Sequence, residues 1–236
     1  MQIIKSLKAF IQFLSDPVSD ISSDEPLGLG TLAGLLLVVF IFSILIFTPI
    51  ISLFGIEELN HKIEDLFQEF SFNIWLLFIP IVFIAPFIEE MIFRFPLRYP
   101  ILSLMFSSFV MFFVIFMITG IKANLQYVMF IGLGMSLFVG LLVNRFFKKE
   151  WIQLYEKYYG IIFYQSVVIF AFVHIFNFEL DADTWYLAPI LVLPQFLLGL
   201  LLGYVRVRNN IWSSIFVHAL NNLVPMTAML LTGGIN

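Results

Sequence analysis

Two adjacent glutamates, Glu89 and Glu90, stand in the apolar stretch FIAPFIEEMIFRFPLRYP, with Arg94 one helical turn later. An ionised carboxylate in hydrocarbon is costly, and two side by side repel each other. Within other apolar runs lie His174 and Asn177, with Gln165 nearby, then Gln195, then His218, Asn221 and Asn222. Intramembrane ionisable groups mark function by default, because nothing else offsets their desolvation. Two carboxylates, two imidazoles, a guanidinium and several amides form a hydrolytic or metal-binding inventory. Glutamate and histidine accept protons and can activate water. Glu89, His174 and His218 could equally supply the three protein ligands of a catalytic Zn²⁺, although the helical H-E-x-x-H zinc signature is absent. Proton or ion transport draws on the same residue types. No convincing internal repeat of the kind transporters carry is visible, although Pro80, Pro86, Pro189 and Pro194 could break their helices.

The elements that must position these groups are membrane helices. Of 236 residues, 61% are hydrophobic and 12% charged, against about 25% charged in an average soluble domain. Mean hydropathy is +1.01. Apolar runs of about 20 residues, enough to cross a bilayer, fall at 28–54, 74–96, 99–121, 125–147, 159–178, 185–205 and 211–232. All four tryptophans, Trp75, Trp151, Trp185 and Trp212, stand at or just outside span ends, where an aromatic belt places them. With the N-terminus cytoplasmic, ten of the twelve basic residues fall on that side and only Lys62 and Lys122 on the other. The positive-inside rule therefore gives N-in, C-out. The expected fold is an all-α, polytopic helix bundle of about seven transmembrane helices, integral to the membrane, which is the inner membrane if the host is bacterial. A cytoplasmic segment, 1–27, precedes a single transmembrane domain, 28–236.

Ile3, Ile4, Leu7, Phe10, Ile11 and Leu14 recur at helical spacing, which predicts an interfacial helix in that segment. Small residues four apart, Gly30/Gly34, Gly132/Ser136/Gly140 and Gly199/Gly203, predict close helix packing. The net charge of −4 offers nucleic acid no basic patch, and the lack of cysteine excludes disulfides and thiolate chemistry.

Depth tests whether the polar groups can meet. At ~1.5 Å per residue from the cytoplasmic end, Glu89 and His218 lie roughly 13 and 15 Å deep. His174, seventeen residues past Lys157, comes out at roughly 25 Å; it matches only if its helix starts near Gly160. Glu90 and Arg94 share a helix face and can pair. Glu89 points about 100° away, free for chemistry. His218 and Asn222 also lie on one face, as do Phe170 and His174.

These residues carry a resemblance. EEMIFR (Glu89, Glu90, Arg94) resembles the E-E-x-x-x-R motif of the CAAX prenyl protease and bacteriocin-processing family. FAFVH (Phe170 to His174) is similar to its F-x-x-x-H motif, and HALNN (His218 to Asn222) to its H-x-x-x-N motif, all in family order. The family core would be about 74–232. Two features depart from the pattern: Phe95-Pro96 replaces the usual glycine after the arginine, and about eighty residues, including the spans at 99–121 and 125–147, separate the first two motifs.

The resemblance implies intramembrane proteolysis: a glutamate-dependent endopeptidase acting on a membrane-associated protein or peptide, prenylated or not. Glu89, helped by His174, would activate water, His218 and Asn222 would stabilise the oxyanion, and Arg94 would clamp Glu90. It commits to no cofactor. A non-catalytic scaffold or immunity protein of the same fold is the alternative it leaves.

Overall fold

The computed structural model describes residues 2–19, 21, 25–54, 75–119, 123–180 and 183–232. Its elements are helical, with no strand among the described residues. Backbone polar groups in lipid must be paired within their own segment, which leaves the helix as the economical form for these apolar runs. The helices are α1 (Gln2–Ser15), α2 (Leu29–Phe54), α3 (Trp75–Ile79), α4 (Ala85–Phe93), α5 (Pro100–Thr119), α6 (Leu125–Phe146), α7 (Lys148–Lys157), α8 (Tyr159–Val173), α9 (Ala188–Leu191), α10 (Leu193–Arg208) and α11 (Ile211–Thr232). A π turn at Pro80–Ile84 joins α3 to α4. Short 3-10 turns follow α4 at Phe95–Arg98 and α8 at His174–Asn177, and another, Trp185–Leu187, precedes α9.

Five stretches are long and apolar enough to cross a membrane: Leu29–Ile50, Pro100–Met117, Leu125–Phe146, Tyr159–Asn177 and Trp185–Arg208. They coincide with five of the seven expected spans, and the protein is an integral, multi-pass membrane protein. The other two expected spans hold the first and third of the polar motifs. The run at 74–96 is broken by the π turn, and α11 carries His218, Asn221 and Asn222.

At the centre stands α10. All its residues from Leu198 to Val207 are buried, against α2, α8 and α11. Gly199 and Gly203 make the approach to α8 close: a Cβ on Gly203 would lie 2.5 Å from the Phe163 ring. The hairpin α5–α6 packs in the same way, with Gly140 against Met105 and Gly132 against Phe112. Gly30 is the exception among the small-residue pairs, with nothing within 4 Å of an added Cβ.

The end of the bundle that carries α7 and the turn after α4 is tied by polar contacts to backbone. Trp151 Nε1 donates to Pro100 O at 2.6 Å, and Tyr155 Oη to Leu97 O, so α7 clamps the turn after α4. Burial raises the Tyr155 phenol well above its ordinary range, which keeps it an O–H donor. The predicted N-terminal helix forms, and it packs on the bundle: Phe10 and Phe13 are buried against Tyr204 and Phe163. Between α1 and α2, Leu27 exchanges two hydrogen bonds with the Asn209 side chain, its N–H to Oδ1 at 3.0 Å and its O from Nδ2 at 2.9 Å.

The glycine contacts separate two outcomes. Gly203→Ala should cost about 1–3 kcal/mol through overpacking, whereas Gly30→Ala should leave stability unchanged or raise it by up to ~1 kcal/mol through helix propensity. Thermal unfolding of the purified variants in detergent checks both.

Candidate active site

The π turn and Pro86 set the direction of α4, and α4 sends its two glutamates to different places. Glu90 is fully buried. Its Oε1 lies 2.9 Å from His218 Nδ1 and 3.4 Å from Arg94 Nη1, and its Oε2 accepts a hydrogen bond from Ser214 Oγ. The expected Glu90–Arg94 pairing is present, with two further partners from α11. Arg94 is also fully buried, and its guanidinium carbon lies 3.6 Å from the Phe170 ring centroid, a cation–π contact in a dry site. Gly199 leaves room for this stack: a Cβ there would meet Phe170 and Val167 at 3.2 Å and Arg94 Nη2 at 3.3 Å.

Helix α4 ends at Arg94, since Pro96 brings no N–H to continue it. Arg206 meets the carbonyls at this end: its Nε donates to Arg94 O at 3.1 Å, beside the Leu97 N–H, and its Nη2 donates to Phe95 O at 3.4 Å. By sequence Arg206 was one of the positive charges that set the orientation; in the fold it is only 4% exposed.

Glu89 occupies the open side. Its side chain is 27% exposed and that of His174 17%. Glu89 Oε2 lies 3.6 Å from His174 Nε2 and 3.7 Å from His218 Nε2, yet it is buried and lacks a hydrogen-bond partner. The ring nitrogens on the far sides are already engaged. His174 Nδ1 donates to Phe170 O at 2.8 Å, and a carbonyl only accepts. His218 Nδ1 donates to the Glu90 carboxylate. Both Nε2 atoms are thereby turned towards Glu89. Separations beyond 3.5 Å between such groups suit a bridging water better than direct contact.

The depth mismatch for His174 narrows for a local reason. After α7 breaks at Tyr158, α8 begins at Tyr159, one residue from the start that the sequence required. Phe170, which could pass for one more phenylalanine among thirty, sits at the junction of the site. Its ring centroid lies 4.7 Å from that of His174, 5.7 Å from that of His218 and 5.6 Å from that of Phe93.

Asn222, one turn beyond His218, donates through Nδ2 to Ile81 O at 3.0 Å, and its Oδ1 accepts from Asn221 Nδ2 at 3.3 Å. Gln195 and Asn221 line a neighbouring cleft of about 190 Å³ beside α2. Gln165 accepts from Ser107 at 3.0 Å and ties α5 to α8. Among the described residues, no group of three or more His, Asp or Glu side chains is arranged as a metal site.

Ser214 escaped the sequence reading, which considered only strongly polar groups. Its signal was its place four residues before His218, on the same helix face. Ser214→Ala should lower stability by about 1–3 kcal/mol, because a buried charged acceptor loses a donor. Ser213→Ala, at a less buried neighbour, should stay within about 0.5 kcal/mol. Chemical or thermal unfolding in detergent distinguishes the two.

A family model described as type II CAAX prenyl endopeptidase, Rce1-like, matches residues 71–224. The match covers well over half of the chain, contains every candidate residue from Glu89 to Asn222, and lies close to the core expected at 74–232. No curated protein and no solved structure matches the sequence. The chain thus belongs to the Rce1-like family of type II CAAX prenyl endopeptidases, a family of membrane proteases.

Proposed function

We propose that this protein is an intramembrane endopeptidase in which Glu89 activates the attacking water. The observation that carries the reading is Glu89 Oε2, a buried carboxylate oxygen without a hydrogen-bond partner, facing the Nε2 atoms of His174 and His218. A water seated between Glu89 and His174 gives one proton to Glu89 as its oxygen attacks the scissile carbonyl carbon. His174, its tautomer fixed by Phe170 O, orients that water. The carbonyl π electrons move to oxygen, and the oxyanion is met from α11 by the Asn222 amide proton not used at Ile81 and by His218 in the form that carries a proton on Nε2 as well as on Nδ1. Glu89 then returns the proton to the leaving nitrogen as the C–N bond breaks, leaving an amine and a carboxylic acid that keeps the water's second proton until it ionises.

Glu90, Arg94 and Ser214 take no part in proton transfer. They hold His218 and keep the charge of Glu90 compensated, so that Glu89 is the glutamate left for chemistry. In the rival reading Glu89, His174 and His218 would draw together as the ligands of a Zn²⁺, and the experiment below separates that reading from the metal-free one we adopt. The substrate in this proposal is a membrane-associated peptide or protein segment, and the family description points first to prenylated C-terminal tails. The seven-span, N-in arrangement completes the proposal and places cleavage in the cytoplasmic half of the bilayer.

Purified protein incubated with membrane-anchored peptides, prenylated and unprenylated, should release products readable by mass spectrometry. Glu89→Gln should lower kcat by at least ~100-fold while its unfolding temperature stays close to that of the unaltered protein. Activity that persists in chelator supports the glutamate–water mechanism. Activity lost in chelator and restored by Zn²⁺ would make Glu89, His174 and His218 metal ligands.

A further inference from the structure

The π turn of the second span and Asn222 meet at one backbone atom. In a helix, each carbonyl is met by the N–H four residues on, or five residues on in a π turn. For the Ile81 carbonyl the first of these donors, Ala85 N–H, is bonded to Pro80 O instead. The second is Pro86, whose nitrogen carries no hydrogen. Neither helical donor therefore reaches Ile81 O, in a segment where backbone groups cannot turn to water. Asn222 Nδ2, from α11, makes the hydrogen bond at 3.0 Å. The bond that Asn222 Oδ1 accepts from Asn221 keeps the amide with its NH₂ towards Ile81.

The junction is also packed. Val82, next to Ile81, is 1% exposed and clusters with Met226, which is 2% exposed and one turn beyond Asn222. Helix α4 begins four residues after Ile81, so the two glutamates follow directly from this bend. A π turn adds one residue to the helical repeat and rotates everything after it by about 100° relative to an unbroken α-helix. The orientation of Glu89 and Glu90 against α8 and α11 therefore depends on the π turn staying in place.

We infer that Asn222 is a positioning residue: one of its amide protons stands in for the N–H that Pro86 lacks, and so latches the bend of the glutamate helix to α11. The latch needs nothing from the reaction, whereas its bearing on the alignment of Glu89 rests on the endopeptidase reading.

A double-mutant cycle on the full-length protein in detergent tests it, using Asn222→Ala, Pro86→Ala and the pair. Asn222→Ala should lower the unfolding temperature by about 3–6 °C, as expected for an orphaned, partly buried carbonyl in a protein of this size. Asn222→Asp, similar in size but without the amide donor, should do the same. In the Pro86→Ala background the helix regains an N–H for Ile81, and Asn222→Ala should cost less than half as much. Equal losses in both backgrounds would overturn the latch. With a membrane-anchored peptide that the unaltered protein cleaves, Asn222→Ala should lower kcat more than it changes KM, by a smaller factor when Pro86 is also replaced. An equal kcat factor in both backgrounds would overturn the positioning role. Coupled unfolding temperatures with no cleavage by any variant, the unaltered protein included, would leave the latch standing and count against the endopeptidase reading instead.

Discussion

One carboxylate governs the architecture. Glu90 is sealed inside an apolar bundle, where an uncompensated charge would cost several kcal/mol. Arg94, His218 and Ser214 all converge on it. These partners come from two helices, so compensation of Glu90 holds α4 against α11. Arg94 brings in a third, because its guanidinium is in turn stacked on Phe170 of α8. Van der Waals packing alone would tolerate small slides between lipid-embedded helices; a buried ion pair with directional partners does not.

Two neighbouring residues on a helix point about 100° apart, so the tandem glutamates cannot share an environment. One is closed off and surrounded by donors. The other is open enough to meet solvent and faces two ring nitrogens whose opposite edges are tied down. The imidazoles are held from behind by groups of unlike strength: a neutral carbonyl for His174 and a carboxylate for His218. The carboxylate makes His218 part of the same charge system as Glu90, and the carbonyl leaves His174 outside it.

Much of this was legible beforehand because hydrocarbon penalises polar groups so heavily. The few residues that persist inside the apolar runs, Glu89, Glu90, Arg94, His174 and His218, are the ones the fold gathers, and their order along the chain revealed the family. Periodicity located α1, and the small-residue spacing located the α5–α6 and α8–α10 contacts. Other features rested on information that residue type does not carry. Ser214 looks like any small helical residue until Glu90 is placed beside it. Arg206 counts as a surface cation until a helix is seen to end against it. The π turn depends on which carbonyl lacks a donor, and only the three-dimensional partner of Ile81 reveals that.

The tie between Asn209 and Leu27 bears on how this chain can diverge. Asn209 holds the backbone N–H and C=O of Leu27, groups that nearly every amino acid presents alike. The joint between the first helices and the matched core therefore places little demand on which residue stands at position 27. Such a seam can drift freely in sequence while remaining mechanically intact. A recognisable family signature can thus begin at residue 71 even though α1 and α2 are built into the same bundle.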